Sequence, residues 1–164
     1  MRTRQHLYFM LLVALCAVLQ TTLIQFAIPD YLRPDLFLST VVLLGLFLGP
    51  VWGSLYAFFL GYLEDLFCGS MVGLFMFSRM VIYLAALFLS GQFYARSALA
   101  QGLLIALLGV LDAVIVEVLS LIFTQTSPFQ LSNLWVIFPR SLSSGVAGVL
   151  LFPILRRIWE EKER

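Results

Sequence analysis

The chain has 164 residues, of which 62% are hydrophobic and 12% charged, with a net charge of +1 and a mean hydropathy of +1.01. Soluble domains carry about twice that charge fraction, so a water-soluble globular protein is excluded and an all-α integral membrane protein is indicated. No basic patch alternates with aromatics, which removes nucleic acid as a partner; Cys16 and Cys68 lack CxxC spacing and His6 is the sole histidine, which argues against catalytic, metal or cofactor sites.

Arg2 and Arg4 precede a first apolar run, 7–28, which is too long for the hydrophobic part of a signal peptide and has no A-x-A site after it. A turn follows with Pro29-Asp30 and Arg33-Pro34-Asp35, and then a short run, 36–49. Pro50 opens a third run, 51–68, where proline is tolerated in the first turn. The remaining runs are 71–90, 98–123 and 134–155, the last followed by Arg156, Arg157 and Trp159, which read as an interfacial anchor. Six spans place Arg2, Arg4, Arg96, Arg156, Arg157, Lys162 and Arg164 in the cytoplasm and leave Arg33 outside. The positive-inside rule therefore predicts one six-helix membrane domain, residues 1–164, with both termini cytoplasmic. Spans 36–49 and 51–68 are short for a bilayer that wants about 20 residues. Tilt or partial re-entry is expected there.

Across residues 45–73 a small or acidic residue recurs every fourth position: Gly45, Gly49, Gly53, Ala57, Gly61, Asp65, Gly69 and Gly73. Such residues stack along one helix face, and in lipid they let backbones approach closely. Gly53, Ala57, Gly61, Gly69 and Gly73 are therefore helix-packing positions, with an intermolecular surface, including one between copies of this chain, as the alternative.

Polar side chains inside membrane runs are costly and are functional candidates. Counting about 1.5 Å per residue from the outer helix ends places Gln20, Arg79, Glu117 and Arg140 at similar depth, with Asp65 shallower and Asp112 deeper. An internal Arg79–Glu117–Arg140 network with Asp65 nearby is expected. Asp112 and Glu117 lie about 140° apart on their helix and cannot form a catalytic dyad. Paired charges in such bundles more often clamp helices than react.

Two motifs, Arg33-Pro34-Asp35 after the first run and Gly61-x-x-x-Asp65-x-x-x-Gly69-Ser70-x-x-Gly73, resemble those of the rod shape-determining protein MreD family, as do length and span count. Tyr62-Leu63-Glu64 departs from the pattern by setting a second carboxylate beside Asp65. The resemblance implies a non-enzymatic scaffold subunit of the bacterial elongation machinery in the cytoplasmic membrane. Its implied partners are MreC, the RodA glycosyltransferase, a penicillin-binding transpeptidase and, indirectly, MreB filaments. It also implies an architecture similar to the S component of energy-coupling factor transporters, so capture of a small vitamin-like molecule is the alternative function. The Ala-x-x-x-Ala docking face of such components is absent, because Ala14 and Ala17 are three apart.

Overall fold

The computed structural model describes residues 11, 13–24, 29, 32–68, 73–90, 98–124 and 134–160, and every regular element among them is helical. Helix α1 covers residues 13–24 and ends in a π-helical turn, Leu19–Ile24. Helices α2 (Leu36–Phe47), α3 (Pro50–Cys68), α4 (Leu74–Ser90), α5 (Ala98–Thr124) and α6 (Leu134–Glu160) follow. Local chemistry sets several of these boundaries. Asp35 is extended (φ −91°, ψ 100°) and caps α2 by accepting from Leu38 N–H at 2.8 Å. Leu48 is extended after α2, and Pro50 sits at the first position of α3. Gly73 enters α4 at φ +109°, a conformation that favours glycine. Pro139 and Pro153 lie inside α6, each removing one helical hydrogen bond.

Helix α2 is the centre. Its 12 residues span about 18 Å, and all ten from Leu36 to Gly45 are buried. It packs against α3, α4, α5 and α6 at once. A helix apolar on every side must be covered on every side, and here protein does the covering. The shortness of run 36–49 is thus met by enclosure among other helices. Around α2 the packing is close where glycines lie. A Cβ on Gly61 would come within 2.5 Å of Met76 Cα on α4, and one on Gly53 would strike the Tyr83 ring. The Gly53–Ala57–Gly61 stripe is therefore filled by α4. On the opposite side α5 and α6 meet backbone to backbone, since a Cβ on Gly145 would lie 2.6 Å from Gly102 O.

The distribution of polarity is inverted relative to a soluble protein. Arg79, Glu64, Asp65, Asp112, Ser39 and Thr40 are buried, while Trp52, Phe59, Phe88, Leu103, Leu107 and Leu142 are exposed. That arrangement suits a hydrocarbon solvent, in which apolar side chains face out and polar ones must pair inside. By length and composition, two described stretches qualify as bilayer spans, Leu99–Phe123 and Val136–Pro153; α2 and α4 are apolar but shorter.

Candidate functional site

The site is built at the end of the bundle where α2, α4 and α6 begin and α3 and α5 end. Arg79, one turn into α4, is completely buried. A guanidinium cannot shed its proton, so it must be matched in place. Glu64 on α3 does so bidentately, accepting from Nε and Nη2 at 2.7 Å each. Asp35 at the α2 cap accepts from Nη2 at 2.5 Å. Asp112 on α5 lies 3.1 Å from Nη1, an ion pair whose angle falls short of a hydrogen bond. Ser78 Oγ donates to Asp112 Oδ1 at 2.6 Å, holding that carboxylate from the other side. One arginine thereby joins α2, α3, α4 and α5. Breaking a buried pair of this kind by removing one partner costs about 3–5 kcal/mol.

The neighbouring polar groups secure helix ends. Asp65, next in sequence to Glu64, is rotated about 100° from it. It accepts from the N–H groups of Gly73 (2.8 Å), Phe75 (2.9 Å) and Met76 (3.2 Å), closing the start of α4. Gln20 in the π-helical turn accepts from Leu36 and Phe37 N–H at 3.0 and 3.2 Å, so α2 has two caps. Ser144 on α6 receives Asp35 N–H at 2.8 Å, and its carbonyl receives the Ser39 hydroxyl at 2.8 Å. Amides at the α2 start are thus met by its own cap Asp35 and by Gln20 of α1, and those at the α4 start by Asp65 of α3.

Beside the cluster lies a cavity of about 270 Å³. Its α5 wall is Gly109, Asp112, Ala113, Val116 and Glu117, and its α6 wall is Val136, Ile137, Arg140, Ser141 and Ser144. Each set follows a helical stripe. Asp112 and Glu117 flank their stripe, so both reach the cavity without facing each other.

The charge pairing differs from the one expected. Arg79 meets Asp35, Glu64 and Asp112, whereas Glu117 and Arg140 line the cavity and Gln20 serves the α2 start. The depth count failed because the helices do not end at one level: Arg79 lies five residues after the start of α4, whereas its partner Asp112 lies twelve before the end of α5. Glu64, Ser78 and Ser144 were missed as members. Their signals were a second acid one residue from Asp65, and small hydroxyl side chains on the helix faces that turn inward. Arg33 and Pro34 are half-buried in the turn before α2. Gly69 and the side chains of Arg156, Arg157 and Trp159 lie outside the described residues. Among the described residues no group of three or more His, Cys, Asp and Glu side chains is arranged to hold a metal ion.

The model of the family described as rod shape-determining protein MreD matches residues 1–161 of the chain. No curated protein and no solved structure matches it. The matched region takes in all six helices and every residue of the charge cluster, and this chain therefore belongs to the rod shape-determining protein MreD family.

Proposed function

We propose that this member of a rod shape-determining family is a non-enzymatic membrane scaffold that binds MreC and links it to RodA, a penicillin-binding transpeptidase and MreB. In this reading the chain forms a six-span bundle in the bacterial cytoplasmic membrane, multi-pass with both termini inside, similar in architecture to S components. The observation that supports it is the enclosure of Arg79 by carboxylates. Its three carboxylate partners come from three other elements, and the cluster's hydrogen bonds tie helices together instead of presenting a nucleophile beside a base. A site of this kind fixes shape; it does not turn over substrate.

The surface that meets MreC is an outward apolar one, because the glycine stripe of α3 is occupied by α4. Outward positions of α3 include Trp52, Leu55, Phe59 and Tyr62, a helical stripe rich in aromatics. The test is detergent co-purification of MreC with the wild-type chain and with outward variants of each helix, such as Phe59→Ala with Tyr62→Ala on α3, or Leu103→Ala with Leu107→Ala on α5. Loss confined to one face supports the scaffold. Failure of the wild type to retain MreC counts against it. The alternative, capture of a small molecule for a transporter, is favoured only by the cavity; co-purification of a transporter coupling subunit instead of MreC would select it.

A further inference from the structure

We propose that the cavity between α5 and α6 receives the headgroup of a zwitterionic aminophospholipid, with its ammonium against Glu117 and its phosphate against Arg140. The proposal does not depend on which protein the bundle binds.

The first ground is charge. Glu117 and Arg140 stand on opposite walls of the cavity. Neither side chain makes an ion pair or hydrogen bond among the described residues, whereas Arg79 and its acids are mutually paired. Arg140 is exposed at the mouth and acts through space on Asp35 and Asp112, which line the same cavity, whereas Glu117 has no cation paired with it among the described residues. Unpaired charge is costly, so Glu117 above all calls for a counter-charge. A zwitterion brings a cation to Glu117 and an anion to the mouth at Arg140 together. An anionic headgroup would leave Glu117 without a cation.

The second ground is size and access. About 270 Å³ lies just below the usual range for drug-sized ligands, which fits a small headgroup better than a bulky molecule. The mouth faces outward, since Arg140 is exposed and Val136 is 38% exposed. Beyond the mouth the outer faces of α5 and α6 are apolar, with Val114, Val118, Leu142 and Val146 exposed. An acyl chain leaving the cavity along these faces would meet apolar side chains.

The third ground is depth. Gly109 of α5 packs against Ser141 of α6 and Gly145 of α6 against Ala106 of α5, so Arg140 stands near the level of Val110 and Glu117 about 10 Å nearer the end of α5 where the cavity opens. The two charges are thus staggered along the cavity, Glu117 outermost, the order in which a lipid of the adjacent leaflet presents its ammonium and its phosphate.

Native mass spectrometry of the purified full chain tests this, with phosphatidylethanolamine, phosphatidylglycerol and phosphatidylcholine added in equal amounts. The expected result is at least about tenfold preference for phosphatidylethanolamine, since only its primary ammonium can donate charge-assisted hydrogen bonds to Glu117. Glu117→Gln should bring ethanolamine and glycerol lipids to parity, and Glu117→Asp should keep the preference. Arg140→Gln should weaken both lipids. Val116→Trp, which fills the cavity without changing charge, should abolish the preference while the protein still elutes as a single species. Glycerophosphoethanolamine, which has no acyl chains, separates the sources: if it competes at equal concentration, the ligand is a free zwitterion and the lipid assignment falls. Equal binding of all three lipids by the wild type overturns the proposal. So does a preference that survives Val116→Trp. A wild type without lipid preference whose Glu117→Gln variant loses a co-purifying protein overturns it too, by placing a partner's side chain in the cavity.

Discussion

Glu64 and Asp65 are adjacent, both buried, and do different work. Glu64 neutralises Arg79 through two hydrogen bonds, while Asp65 accepts three backbone N–H groups at the start of α4. Glu64→Gln should therefore cost about 3 kcal/mol, the loss of a partner from a buried pair. Asp65→Asn keeps an acceptor oxygen at the cap and should cost about 1 kcal/mol. Thermal unfolding of the two variants in detergent checks this, and a reversed order would contradict the assignment of roles. Much of this was legible in the sequence, because Arg79 and Asp112 are polar residues in apolar runs. Which acid met which base was not legible. That depends on helix rotation and on the unequal ends of α4 and α5, and neither is written in residue spacing.

Among the elements, α3 shows where periodicity informs and where it stops. The four-residue recurrence of Gly53, Ala57 and Gly61 marks one close-packed face, and α4 occupies it. The recurrence does not say whether the occupant belongs to this chain or to another. A further seam, Gly102 against Gly145, comes from isolated glycines that form no repeat, which is why sequence reading passed over it, while Gly45, the first of the recurrence, lies on α2 and meets Ala86 of α4. Position-specific substitutions separate these roles. Gly61→Ala and Gly145→Ala force backbone or carbonyl contacts apart and should each cost about 1–3 kcal/mol. Gly49→Ala, with nothing within 4 Å of the added carbon, should stay within about 0.5 kcal/mol of wild type. Gly73→Ala should cost about 1–2 kcal/mol through its φ of +109° alone, since it too meets open space. Chemical or thermal denaturation of the series reads all four. Equal losses at Gly49 and Gly61 would contradict the packing account.

For the whole molecule, an interior of paired charges within an apolar exterior describes a bundle assembled for lipid. Hydropathy made the class legible; the central position of α2 was hidden, because a short apolar run reads alike whether tilted, re-entrant or enclosed. The proposed topology predicts that a phosphatase reporter joined after residue 164 stays inactive and one inserted within residues 125–133 is active. The opposite pattern would remove the six-span reading. The scaffold account rests on the Arg79 cluster holding shape and performing no reaction. A buried ion cluster with only that duty can be exchanged for well-packed apolar side chains at little cost, whereas loss of one member is severe. The direct measurement is cell shape in a strain whose only copy of this protein carries Arg79→Met, Glu64→Leu and Asp112→Leu together with Asp35→Asn, which preserves the α2 cap. The account predicts normal membrane levels and rod-shaped cells for this combination, and rounded cells for Arg79→Met alone. Rounded cells at normal levels of the combined variant would show that the charges themselves act, and would contradict it.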